Sequence, residues 1–179
     1  VVLAVSCGAP DRSINEADAE LRGVAARYAG LSDTHTLALT GPNEPGEPLL
    51  VLGLLTDSAT GKPIPNWPVT VYHSDASGSY GGTDPNDESS ARLKGQVITD
   101  STGRFRITTV LPGEANQHVH LGVTGANPEA YDLYFSQLIG FGLRRWAESS
   151  SQAFVVDLYR MDSRQLILQA NIVARGLSL

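Results

Sequence analysis

His118 and His120, in the stretch Gln117-His118-Val119-His120-Leu121, are the side chains through which this sequence first points to chemistry. In an extended strand successive side chains point to opposite faces, so the two imidazoles share one side and Val119 takes the other. Val119, Leu121 and Val123 favour a strand over the first turn of a helix. Two imidazoles on one face can reach a single ion, and zinc, copper, iron and nickel all accept such ligands. On spacing alone the pair reads equally well as two histidines on a solvated strand face.

A phenol widens the candidate site. Trp67-Pro68-Val69-Thr70-Val71-Tyr72-His73-Ser74-Asp75-Ala76-Ser77-Gly78-Ser79-Tyr80 runs as a strand into a glycine-containing loop, some forty residues before the histidines. Around it stand Gly53…Asp57, Gly61-Lys62-Pro63-Ile64-Pro65-Asn66, Thr99-Asp100-Ser101-Thr102-Gly103-Arg104-Phe105 and Val110-Leu111-Pro112-Gly113. In this order and at nearly this spacing, these motifs resemble the intradiol ring-cleavage dioxygenases, most closely their short secreted members. The resemblance covers about residues 48 to 137.

The resemblance implies a β-sandwich and a ferric ion held by two histidines and two tyrosinates. A catechol chelates such an ion through both oxygens, and O2 cleaves the ring between them. Hard anionic phenolates stabilise Fe(III), and the metal's charge lowers the pKa of bound hydroxyls. Position by position, His118 and His120 match the histidine pair and Tyr80 matches the first tyrosine. The second tyrosine, and an arginine that faces the substrate, belong to a longer loop in the family. Here Pro112-Gly113 and His118 are separated only by Glu114-Ala115-Asn116-Gln117, and both residues are absent. One phenolate with two neutral imidazoles favours Fe(III) less strongly, which brings Fe(II), zinc and copper into competition. Glu114 is the candidate for a replacement carboxylate ligand.

Other polar residues near these motifs read more plainly. His73 ends the strand leading to Tyr80 and is expected to be a satisfied or edge histidine. Tyr72 stands where the family often has tryptophan and is expected to pack. Tyr131 and Tyr134 match a strand near the family's site; Tyr134-Phe135 reads first as core, with the Tyr134 hydroxyl a candidate to reach the metal's ligands. Asp132 falls near a family glutamine and is given no role.

The elements that must position these residues are short strands. The chain has 179 residues, enough for one domain with a buried core. Net charge is −6, with no block of Lys or Arg, which argues against nucleic acid or an anionic membrane surface as the main partner. Cys7 is the sole cysteine, which excludes a disulfide framework. Val1-Val2-Leu3-Ala4-Val5-Ser6-Cys7-Gly8 reads as the tail of a bacterial lipoprotein signal, with lipid attachment at Cys7 and an extracytoplasmic home. That run is far too short to span a bilayer.

Residues 1–12 are read as signal remnant and tether, 13–47 as a helix followed by a Pro/Gly-rich loop, and 48–179 as the sandwich. Ser13-Ile14-Asn15-Glu16 fits a capping box, and the helix it opens runs to about Tyr28 with Gly30 as C-cap. Leu21, Val24, Ala25 and Tyr28 form its buried stripe. His35 is expected at the surface. Strands are expected at 49–55, 68–74, 95–99, 104–109, 119–124, 131–135, 154–159 and 166–173. Asp100-Ser101-Thr102-Gly103 reads as a hairpin turn, and Asp162-Ser163-Arg164 as a turn. Residues 81–91 form a polar loop that reads equally well as the border of a site mouth or as a solvated loop with no role. Residues 138–152 read either as a short helix or as a partly exposed apolar loop. The fold class is all-β, a sandwich with one N-terminal helix.

Three functions fit this reading. One is an intradiol-type dioxygenase with an altered ligand set, acting on a small catechol-like aromatic and O2. The second is a metal- or ligand-binding relative that has lost ring cleavage. The third is a metal-free sandwich that serves as an interaction module.

Overall fold

A strand covered on both faces needs no polar alternation, and the apolar run at 49–55 is such a strand. In the computed structural model, which describes residues 13–84, 87–113 and 117–177, it forms the centre of β3 (Pro48–Asp57). One side of β3 faces the interior of a two-sheet sandwich. The other lies under helix α1 (Ala19–Ala29), whose Leu21, Val24 and Tyr28 pack on Leu50, Leu52 and Ile167. The Tyr28 hydroxyl donates to the Gly53 carbonyl at 3.1 Å. Gly53 is required there by close approach, because a Cβ would lie 2.1 Å from the Phe105 ring.

The first sheet also contains β1 (Asn15–Glu16), β2 (Thr36–Ala38), β6 (Arg104–Val110), β10 (Tyr159–Asp162) and β11 (Gln165–Ala174), in the order β1-β10-β11-β3-β6-β2. The second sheet is β5-β4-β7-β8-β9, from β4 (Pro68–His73), β5 (Leu93–Ile98), β7 (His118–Val123), β8 (Ala130–Phe135) and β9 (Ala153–Val156). Here the strands do alternate. Val69 and Val71, Val119 and Leu121, and Leu133 and Phe135 all enter the core, where they meet Leu49, Phe105, Ile107, Leu166 and Leu168 of the first sheet. Burying one face in this way fixes the register, since a one-residue slip would turn every inward side chain outward.

Several expectations change at the ends of elements. Asp18, not Ser13, caps α1: its carboxylate accepts from the Leu21 amide at 2.8 Å. Asn15 and Glu16 instead form β1, parallel to β10, and Ala17 N–H donates to the Arg160 carbonyl at 2.9 Å. The free edge of β10 outcompetes the capping box for these backbone groups. Within 33–48, Thr36–Ala38 pairs with β6 as an edge strand. The turn at 100–103 forms as its residue types dictate, with Asp100 accepting from the amides of Thr102 and Arg104. It is not a hairpin, however, because β5 pairs with β4 and β6 pairs with β3, so the turn carries the chain between sheets. Turn chemistry specifies a reversal but not the strand that each arm joins.

Residues 141–149 are helix α2 (Phe141–Ser149), which leaves Phe141, Leu143 and Trp146 exposed. Among the described residues no helix is long and apolar enough to cross a membrane. Cys7 and Glu114 lie outside the described residues.

Candidate metal centre

The outward faces of β4, β7 and β8 carry the site. Their register places Tyr72, His120 and Asp132 side by side across three strands, and sets His118 beside Tyr134. The same alternation that sends Val119 and Leu121 inward turns both imidazoles outward, where they meet edge to face at 4.4 Å between ring centroids. Tyr72 stacks on His120 at 4.5 Å and 18° between planes, and Tyr134 stacks on His118 at 5.0 Å. Each histidine ring is therefore held by an aromatic neighbour on the adjacent strand.

Tyr80 reaches the face from the loop after β4. Asp75 organises that loop: one carboxylate oxygen accepts from the amides of Ser77 and Ser79 and from the Ser77 hydroxyl. These bonds hold the Asp75 carboxyl below its usual range, the Ser77 hydroxyl contributing most. The loop is clamped at both ends. Arg92 N–H donates to the Tyr80 carbonyl at 2.8 Å, and Gly113 N–H donates to the Asp75 carbonyl at 2.9 Å. Gly113 packs so closely that a Cβ would fall 2.2 Å from the Gly78 nitrogen.

These supports set the Tyr80 hydroxyl 2.9 Å from His120 Nε2. The other ring nitrogen, Nδ1, lies 2.8 Å from a carboxylate oxygen of Asp132. An ionised carboxylate can only accept, so Nδ1 carries the proton and Nε2 presents its lone pair toward Tyr80. The second Asp132 oxygen accepts from the Tyr134 hydroxyl at 3.4 Å. Glu88, from the turn Glu88–Ser90 within the polar loop, brings a carboxylate oxygen to 3.4 Å from the same Nε2. A cleft of about 240 Å³ opens beside Tyr80 and Glu88. It is lined by the Ser79–Gly82 segment with Asp84, Asp87 and Glu88, and neither imidazole borders it.

The electrostatics favour neutral groups while no cation is present. Burial pushes the Tyr80 phenol well above its ordinary range, and the charges of Glu88 and Asp132 add to the shift. Burial, with help from His120, pushes His118 down. Tyr134 is raised to about 12 by burial and by Asp132.

The chemistry of the donors suits a metal ion. One donor atom from each of His118, His120 and Asp132 falls within 4.8 Å of the others. A neutral His118, the free lone pair of His120 and the Tyr80 oxygen offer the nitrogen and oxygen donors that iron, zinc and copper accept. Donors sharing one ion at about 2.0–2.2 Å in a tetrahedral site sit roughly 3.3–3.6 Å apart, so Tyr80 and His120, hydrogen-bonded at 2.9 Å, need separate only slightly to share one.

The structure thus brings Tyr80, His118 and His120 together. It sends His73 to the opposite, buried face of β4, where Nδ1 donates to the Ser74 carbonyl at 2.6 Å and Nε2 accepts from Thr109 at 2.7 Å. Tyr131 likewise turns into the core. His35, half-buried, bonds the Ile98 carbonyl at 2.9 Å, and β2 and β6, next to it, belong to the other sheet. Sequence reasoning gave no role to Asp132 and did not single out Glu88. Asp132 was detectable as a polar outward position, two residues from Tyr134, in an otherwise apolar strand. No local signal marked Glu88, whose approach depends on how its loop folds back.

The sequence profile of a family described as Dioxygenase matches residues 24–132. Catechol 1,2-dioxygenase of Acinetobacter baylyi is 37% identical over 73 residues, which is 40% of this chain and 23% of that enzyme. The chain therefore spans less than a quarter of that relative's length. Among solved structures, the dioxygenase domain of a dioxygenase–carbohydrate-binding protein fusion from Streptomyces sp. SirexAA-E superposes with a TM-score of 0.58 at 18% identity, over 82% of this chain and 93% of that one. 3-Chlorocatechol 1,2-dioxygenase from Rhodococcus opacus gives 0.55 at 18% identity, over 82% of this chain and 67% of that one. Likeness at these identities shows the shared two-sheet fold.

Proposed function

Because this chain belongs to the intradiol dioxygenase family, we propose that it is a non-haem iron protein acting on a small catechol-like aromatic with O2. The observation that carries the proposal is the convergence of the Tyr80 hydroxyl and His120 Nε2 at 2.9 Å, beside His118. Tyr80, His118 and His120 would hold the ion. When bound, ferric iron supplies Lewis acidity toward catechol hydroxyls and a redox-active centre for ring opening by O2.

The chain's own residues prepare that site. Asp132 fixes the His120 tautomer, Tyr72 and Tyr134 fix the planes of the two imidazoles, and the clamped Asp75–Tyr80 loop fixes the phenol. The Tyr80 proton must leave when the phenol becomes a ligand, so affinity for the ion rises with pH. The upward shift of that phenol keeps this proton in place throughout the neutral range until a cation displaces it.

A second reading has its own support. The interval from Glu114 to Gln117 holds neither a tyrosine nor an arginine, which favours a relative that binds metal and ligand without cleaving rings. The test is elemental analysis and a visible spectrum of the purified protein, before and after catechol, together with O2 uptake. Bound iron, a tyrosinate-to-iron charge-transfer band shifted by catechol, and a ring-opened dicarboxylic acid are expected. The iron and the shift without O2 uptake would select the second reading. A protein that holds zinc or copper in place of iron, with a spectrum unmoved by catechol, would refute the dioxygenase reading and leave the second, and one that holds no metal would refute both.

A further inference from the structure

We propose that the Glu88 carboxylate is the second anionic donor of the Tyr80–His118–His120 centre, filling the role for which this sequence has no second tyrosine. The inference rests on the metal reading above and names a ligand within it. Two neutral imidazoles and one phenolate offer a trivalent ion a single negative charge, and a carboxylate restores the second.

Asp132 is the carboxylate that falls within 4.8 Å of donor atoms of both His118 and His120, but at His120 Nε2, the nitrogen that faces Tyr80, the carboxylate at hand is Glu88. Glu88 Oε2 lies 3.4 Å from His120 Nε2, the nitrogen that also faces the Tyr80 hydroxyl at 2.9 Å. Phenol oxygen, imidazole nitrogen and carboxylate oxygen therefore face one another on one side of the His120 ring. Asp132 is on the other side: one oxygen holds Nδ1 and the second accepts from Tyr134. An ion shared by Tyr80 and Nε2 has the imidazole ring between it and Asp132. That leaves Asp132 as a positioning residue.

The backbone delivers Glu88 to this place by specific bonds. The Asp87 carboxylate accepts from the Ser89 amide at 2.9 Å, Ala91 N–H donates to the Glu88 carbonyl at 3.0 Å, and Lys94 Nζ donates to the Ser89 carbonyl at 2.7 Å. Lys94 thus approaches the turn through a carbonyl and leaves the Glu88 carboxylate uncompensated. Glu88 Oε2 faces His120 Nε2 at 3.4 Å. Glu88 also ranks first among the charges acting on the Tyr80 phenol. Its side chain is about half exposed (53%), so replacing it leaves the core intact.

The test compares the full chain with Glu88→Gln and Tyr80→Phe, each titrated with ferric ion against a chelator of known affinity, with visible spectra and thermal melts. Wild type should bind one ferric ion with a tyrosinate charge-transfer band, and Tyr80→Phe should lose the band. Glu88→Gln should keep its melt and weaken ferric binding by about tenfold or more, because it removes one anionic donor. Its band should move to longer wavelength as the ion becomes more electron-poor. A Glu88→Gln protein that binds iron less than about tenfold more weakly, with an unmoved band, overturns the assignment while leaving the Tyr80 centre standing. A wild-type protein that takes up no ferric ion overturns the metal reading and this inference with it.

Discussion

Replacing Asp132 by alanine should weaken metal binding by about tenfold, or roughly 1.4 kcal/mol. Loss of a partner that orients a ligating histidine typically costs 10–100-fold in affinity. The geometry here places the effect at the lower end. The Asp132–His120 bond is short, 2.8 Å, and charge-assisted, so its removal releases both the tautomer and the ring. Tyr72, stacked at 4.5 Å, still restrains the ring plane. The Asp132 side chain is also 26% exposed, so water can take over part of its role at Nδ1. Asp132→Asn keeps an oxygen acceptor and should cost only about threefold. Chelator competition measures the affinities. Nitrogen chemical shifts of His120 in the metal-free protein report the tautomer independently, expected as Nδ1–H in the wild type and mixed in Asp132→Ala. Wild-type affinity with an unchanged tautomer in Asp132→Ala would refute the positioning role. A loss beyond about a thousandfold would refute it from the other side, by making Asp132 a ligand itself.

Gly113→Ala should destabilise the fold by about 1–3 kcal/mol and weaken the tyrosinate band, because its Cβ must push Gly78 and Ser77 away and carry the Tyr80 loop with them. A wild-type melting temperature and spectrum would show that Gly113 does not set that loop. For pH, burial lowers the folded-state pKa of His73 below 6.5, and His118 moves the same way. The unfolded chain then takes up protons that the folded chain refuses, so stability is full above pH 6.5 and falls as pH drops below it, by up to about 1.4 kcal/mol per unit for each histidine. His73→Gln should flatten part of this slope in denaturant titrations between about pH 6.5 and 5, and an unchanged slope would contradict the assignment. Asp100, lowered from 3.8 to about 2, contributes stability lost only in that lower, separate window.

What the sequence revealed of the fold follows from periodicity. Alternation in His118–Val123 marks a strand with one buried face and correctly puts His118 and His120 on a single side. Pro68–Ser74 alternates only loosely in residue type, although burial alternates strictly through Pro68–His73. The sequence marks His73 only as a satisfied or edge histidine, and the structure turns it inward, in phase with Val69 and Val71. Periodicity does not tell which strands become neighbours. The turn at 100–103 is legible in its residues, yet it joins two sheets. That outcome depends on β3 and β4 each winning a different arm. The capping box at Ser13 lost to Asp18 because the open edge of β10 accepts Asn15 and Glu16. Local chemistry could not anticipate that distant competitor.

The same limit explains what escaped at the site, and it bears on whether the His-x-His pair is a relic. Asp132 stands beside His120 only once β7 and β8 are in register, and Glu88 only once its loop returns over the sheet. A solvated histidine pair on a sandwich needs none of these neighbours. Here one carboxylate holds Nδ1 of His120, aromatic rings stack on both imidazoles, and a loop clamped by Arg92 and Gly113 holds the phenol opposite Nε2. Fixing a tautomer and a ring orientation adds little to the fold when the ring sits on an outer face, but it is what a ligating imidazole requires. This supporting shell weighs against the metal-free module. The chain lacks the family's second tyrosine yet keeps a fully oriented His120, which points to an altered ligand set rather than a decayed one.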